Sequence, residues 1–194
     1  MESTSDINDH LAARLRGLRT RNGLTLDELS ERTGVSRSMI SLIERGESSP
    51  PAVILNRLAT GLGVSLASLF AEADRDEAPP LVRQADQRVW RDPESGYLRR
   101  ALSPPGHPSP LELAEVILPP GARIAYDSGP RAAGIGQQVW VLEGDVEVTT
   151  GPDAYRLAAG DCLCMGIDRP NVFRNPADRP ARYLVALAAD PLRA

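Results

Sequence analysis

Between Thr25 and Gly46 the chain reads Thr-Leu-Asp-Glu-Leu-Ser-Glu-Arg-Thr-Gly-Val-Ser-Arg-Ser-Met-Ile-Ser-Leu-Ile-Glu-Arg-Gly. Few folds accept this pattern. Thr25 followed by Glu28 has the spacing of a capping box, in which each side chain bonds the other residue's backbone N–H, so a helix opens there. Leu26, Leu29 and Ser30 recur at helical spacing. Gly34 stands where a turn needs a residue that tolerates positive φ. Ser36 can cap a second helix, in which Ile40 and Ile43 form one apolar stripe. The stripe leaves Arg37, Ser38 and Ser41 on another face. A short helix with such a front end suits the major groove of DNA.

The flanks read as further short helices. Leu11, Leu15 and Leu18 share one face of a helix over His10–Thr20, which Asn22-Gly23 ends. After the loop Gly46–Pro51, a helix over Pro51–Leu62 buries Ile54, Leu55, Leu58 and Ala59. Gly61 and Gly63 break it, and Ser65 caps a last turn through Leu66, Leu69 and Phe70. Residues 1–9 read as a short disordered tail. From His10 to Phe70 the order and spacing of these motifs resemble the XRE-type helix-turn-helix domain, a five-helix, lambda-repressor-like fold.

That resemblance implies roles by position. Arg37, Ser38, Ser41 and Leu42 stand where the family touches base edges. A bidentate Arg37–guanine contact is worth ~1–3 kcal/mol of discrimination. Thr25 and Ser36, at helix N-termini, are placed for phosphates, with Arg19, Arg45, Ser48 and Ser49 as further candidates. Arg45 has an alternative, pairing with Glu44 or Glu47 on the surface. Charge agrees with the assignment. The whole chain carries −4, but residues 10–70 hold eight arginines against five acids, the only net-basic segment. A net +3 is modest, so the expected binder is a homodimer on a palindromic operator of double-stranded DNA. All 22 basic residues are Arg along the whole length, a bias that reads as codon composition rather than as DNA function.

The resulting domain plan is a tail (1–9), a DNA-binding domain (10–71), a charged linker ending in Pro79-Pro80 (72–80), and a β-rich domain (81–194). Nine short β-like runs between turn residues predict an antiparallel sandwich or barrel: 88–91, 97–102, 111–118, 137–142, 145–150, 154–157, 161–165, 171–174 and 181–188. Pro119-Pro120-Gly121-Ala122, the Val139–Val148 run, Tyr155–Asp161 and Phe173–Arg182 resemble the small cupin, a double-stranded β-helix or jelly-roll barrel. The fold class is therefore multidomain α + β. Joined in this order, the two resemblances imply a bacterial one-component regulator with a cupin sensor.

Many cupins hold a metal through His and Glu ligands. Here the Glu position falls on Gln137. The paired His positions fall on Arg131 and Ala133, or on Pro130 and Ala132, and the last His position falls on Asn171. The only histidines are His10 and His107, outside both motifs. Amides do not replace the imidazole or carboxylate ligands of such sites, so no metal and no cofactor is expected. The interior then reads as a pocket for a small organic effector. Gln137, Val139, Val141, Asn171 and Phe173 point inward by strand alternation, with Arg123, Tyr126 and Tyr183 as neighbours. These side chains can equally fill the interior, which would leave the cupin as a dimerisation module only. Another alternative is a cupin enzyme of the oxygenase or epoxidase kind, whose metal triad is missing from these positions. Cys162 and Cys164 share one strand face and are expected to be buried and inert. No apolar run approaches the ~18 residues of a membrane span. The acidic N-terminus is no signal peptide, and the reading is a reduced, cytoplasmic, non-enzymatic protein.

Overall fold

A computed structural model describes residues 4–70, 78–127 and 135–189. Among the described residues five α-helices come first: α1 (Thr4–Arg21), α2 (Leu26–Thr33), α3 (Arg37–Glu44), α4 (Ala52–Leu62) and α5 (Leu66–Phe70). Helix α1 starts earlier than the sequence reading placed it, so residues 4–9 are helical and not a tail. The reason is Ile7, buried one turn before Leu11 and continuing the Leu11, Leu15, Leu18 stripe into the core. Leu29, Ile40, Ile43, Leu55 and Leu58 complete that core, each 2% exposed or less.

Ten strands follow among the described residues: β1 (Val89–Arg91), β2 (Leu98–Ala101), β3 (Leu111–Leu118), β4 (Arg123–Tyr126), β5 (Ile135–Glu143), β6 (Asp145–Thr150), β7 (Asp153–Ala158), β8 (Cys162–Gly166), β9 (Asn171–Arg174) and β10 (Ala181–Ala189). They form two antiparallel sheets, ordered β1-β2-β3-β10-β5-β8 and β4-β9-β6-β7. This is the jelly-roll sandwich of the cupin fold, but the sheets remain separate rather than closing into a hydrogen-bonded barrel. Alternation puts Val116, Val139, Val141, Tyr183 and Val185 of the larger sheet against Ile124, Val146, Val148 and Phe173 of the smaller. Gly144, at φ 78°, turns β5 into β6. A Cβ there would stand 3.0 Å from both Ala181 Cα and Pro180 O, so the turn excludes any side chain.

Strand β4 was not foreseen. It is four residues long, and only Ile124 and Tyr126 face inward, too short a pattern to stand out from the preceding Pro-Pro-Gly turn. Cys162 and Cys164 are also corrected: both are free and exposed. Leu163 and Met165 take the inward positions of β8, so the cysteines share the outer face with Trp140, the partner of Cys162.

The two layers pack against each other. Phe70 at the end of α5 lies 5.6 Å from Trp90, which lies 5.6 Å from Tyr97. Pro51 provides no side-chain cap for α4. Instead Asp92, from the β half, accepts the Ala52 N–H at 2.8 Å in a buried contact. On the same side, Asn56 Nδ2 donates to Asp127 O at 2.9 Å and Arg57 pairs with the Asp127 carboxylate at 3.0 Å. Ser65 and Ser68 donate to Glu112 at 3.2 and 3.3 Å.

Candidate nucleic-acid interface and effector cavity

Local chemistry builds α2 and α3 as the sequence requires. Glu28 N–H donates to Thr25 Oγ1 at 3.2 Å, and Thr25 N–H donates back to Glu28 Oε2 at 2.7 Å. The Thr25 amide, and the Thr25 hydroxyl donating to the same Oε2 at 2.8 Å, hold the Glu28 carboxyl below its ordinary range. Gly34 closes α2 at φ 67°, and Ser36 Oγ accepts the Met39 N–H at 3.3 Å. Ile40 and Ile43 are buried, which turns Ser36, Arg37 and Ser38 to solvent and leaves Ser41 and Leu42 partly exposed.

The expected DNA-facing residues divide into two groups. Thr25, Ser36, Arg37, Ser38, Ser41 and Leu42 lie along the front of α3 or at the two helix starts. Arg37 pairs with Asp27 at 3.1 Å, both side chains largely exposed. Such an exposed pair is worth ~0–1 kcal/mol and holds Arg37 only weakly. Arg45 takes the alternative foreseen for it and bonds Glu47 at 2.7 and 2.9 Å. Ser48 contacts Met39 Sδ at 4.0 Å, and Ser49 beside it is half-buried. Arg19 does not belong with them. It forks onto Glu44 with two 2.7 Å bonds and donates to Leu24 O at 2.8 Å, at side-chain exposures of 13% and 7% for the pair. It is a strut between α1 and α3, its guanidinium bonded within the protein.

A cavity of about 800 Å³, its solvent-open mouth included, lies between α4 and the sandwich. Of the expected pocket residues, Tyr126, Gln137, Asn171, Phe173 and Tyr183 line it. Phe173 stacks on Tyr183 at 5.9 Å and meets the edge of Tyr126 at 6.0 Å. Val139 and Val141 are fully buried in the core beyond the cavity wall, and Arg123 is turned out by the alternation that turns Ile124 in. Two of the contributors that sequence reasoning missed matter most. One is Arg99, 8% exposed on β2. Arg99-Arg100 reads as a surface pair, and only the register Arg99↔Val116 places the first of them inside. The other is the helical layer: Asn56, Thr60, Val64 and Leu66 complete the cavity.

At the cupin ligand positions, Gln137 and Asn171 are inward-facing amides, while residues 130–133 lie outside the described residues. Among the described residues, no three His, Cys, Asp or Glu side chains gather as a metal site would require. No helix among them is long and apolar enough to cross a membrane.

The model of a helix-turn-helix domain matches residues 10–72. Over 173 residues, 89% of this chain and 91% of the relative, the chain is 27% identical to the HTH-type transcriptional regulator SutR of Escherichia coli. It is 35% identical over 69 residues to the HTH-type transcriptional regulator y4dJ of Sinorhizobium fredii, 36% of this chain and 90% of that one. A crystal structure of an HTH_3 family transcriptional regulator from Vibrio cholerae superposes with a TM-score of 0.75 at 26% identity, covering 96% of this chain and 98% of that one. The chain belongs to the XRE-type helix-turn-helix transcriptional regulators, here with a C-terminal cupin-type sandwich.

Proposed function

We propose that this regulator is a cytoplasmic homodimer that reads a palindromic operator through Arg37, Ser38, Ser41 and Leu42, and that its cupin senses a small organic effector without metal or catalysis. The exposed front edge of α3, capped by Ser36 and backed by Ile40 and Ile43, carries this reading. Thr25 and Ser36 each stand at the start of a helix, the end whose dipole and backbone N–H groups attract phosphates. Arg45, Ser48 and Ser49 flank the same side. On the outer face of the larger sheet, Trp140 is 48% exposed and paired with Leu184, an apolar surface suited to a second copy.

Sensing has a direct structural route. Helix α4 forms the cavity roof and also packs behind the recognition unit, so a ligand filling the cavity touches both layers. It would shift the dimer between operator-competent and incompetent spacings by its differential affinity for the two.

Arg37→Ala is expected to weaken operator binding by about 1–3 kcal/mol and to relax preference at one position per half-site. Fluorescence anisotropy on an operator selected in vitro measures this, and unchanged affinity on both matched and altered half-sites would refute the assignment. The purified protein is also expected to carry far less than one transition metal per chain. Elemental analysis finding one per chain would overturn the metal-free reading of the cupin.

A further inference from the structure

We propose that the cavity between α4 and the sandwich takes a small organic carboxylate, whose charged group is held by the Arg99 guanidinium. This rests on the effector reading above and names the ligand's chemistry.

The charge of Arg99 has no counter-charge beside it. Arg99 is 92% buried, yet no hydrogen bond or ion pair joins its guanidinium to another group among the described residues. Its close neighbour is the Phe70 ring, with Cζ 5.8 Å from the centroid. A cation–π contact is worth ~2 kcal/mol when desolvated, while burying an arginine costs several, so the ring does not balance the charge. The tyrosines do not supply a negative charge either. Burial pushes the Tyr97, Tyr126 and Tyr183 hydroxyls up, so all three stay neutral. The carboxylate on the cavity wall, Asp127, stands at the exposed rim and is taken by Arg57 at 3.0 Å. The buried Asp92 carboxylate is spent on the Ala52 N–H, the Ser95 N–H and the Ser95 hydroxyl. Neither acid pairs with Arg99, and a guanidinium matches a carboxylate with two parallel hydrogen bonds.

A second observation points to the same occupant. Asn171 is 4% exposed and its Oδ1 has no hydrogen-bond partner, although its Nδ2 donates to Gly166 O at 3.4 Å. A buried acceptor without a donor is costly, and Asn171 belongs to the cavity wall. The stacked Phe173 and Tyr183 rings give the ligand body an apolar wall. A carboxylate with a compact apolar body satisfies Arg99 and the rings together, and a donor on that body reaches Asn171 Oδ1 once the side chain turns toward the cavity.

The test uses the full chain and four solutes at matched ionic strength: sodium propionate, sodium chloride, propionamide and propylamine. Melting temperature is followed for wild type, Arg99→Gln and Arg99→Lys, and operator affinity is measured in parallel. Propionate is expected to raise the wild-type melting temperature beyond chloride by mass action, and propionamide is not. The response should vanish in Arg99→Gln and persist, weakened, in Arg99→Lys, which keeps the question decidable if the glutamine variant folds poorly. A wild-type response to propionate no larger than to chloride, or one equal in Arg99→Gln, overturns the carboxylate assignment. Stabilisation by propylamine or propionamide alone overturns it too, while leaving the effector reading intact. Stabilisation by propionate with no change in operator affinity leaves the carboxylate site standing and removes the sensor.

Discussion

Truncating Trp90 to alanine is expected to cost about 3–5 kcal/mol of folding stability, the range for removing a large buried aromatic side chain. Trp90 is 1% exposed and is wedged between Phe70, the last residue of α5, and Tyr97, both at 5.6 Å. No neighbour can fill the gap without leaving its own contacts, because Tyr97 is itself fully buried and its hydroxyl accepts from Tyr126 at 3.2 Å. The damage therefore falls on the joint between the helical layer and the sheets. Urea unfolding followed by far-ultraviolet circular dichroism measures it. The chain has two tryptophans, so in this variant Trp140 alone reports by fluorescence, from the exposed face of β5. A loss below ~1 kcal/mol would mean that the two layers hold together without this contact.

How much of this was legible in the sequence depends on how local the cause is. The capping box at Thr25, the turn at Gly34 and the cap at Ser36 are set by residues three apart, and all three stand in the structure as read. Strand alternation likewise put Gln137, Asn171 and Phe173 on the inner face. It failed where two positions compete for the same strand. On β8 the inward places went to Leu163 and Met165, whose larger apolar area outweighs that of cysteine, and the cysteines were turned out. The partnership of distant segments had no local signal. Arg19 looks like a phosphate ligand until Glu44, 25 residues away, is seen to occupy it. Arg99 looks like a surface residue until the pairing of β2 with β3 is known. The roof over the cavity was equally hidden, since the charged run before Pro79-Pro80 reads as a separator while the two layers it joins are in contact.

That contact is what the last prediction probes. Asp92→Ala is expected to cost about 2–3 kcal/mol, and Asp92→Asn roughly half as much. A helix start leaves N–H groups that need acceptors, and Pro51 cannot supply one. Asp92 reaches in with Oδ1 at 2.8 Å from Ala52 N, while its Oδ2 accepts the Ser95 N–H at 2.8 Å and the Ser95 hydroxyl. One carboxylate thus caps α4 and folds the β1–β2 turn, and hydrogen bonds to a charged acceptor are worth ~1.5–3 kcal/mol. The helix dipole favours the negative charge at this end, which is why the neutral asparagine, with one oxygen left to share, replaces only part of it. Because α4 is both the roof of the cavity and the support behind α2, the first helix of the helix-turn-helix, the alanine variant should also show a weaker link between cavity occupancy and operator affinity than wild type. Equilibrium unfolding gives the first quantity, and operator binding with and without a cavity ligand gives the second. An alanine variant within ~0.5 kcal/mol of wild type would show that the helix finds its cap elsewhere, and the bracket between the two layers would have to be sought at Asp127 and its partners Asn56 and Arg57.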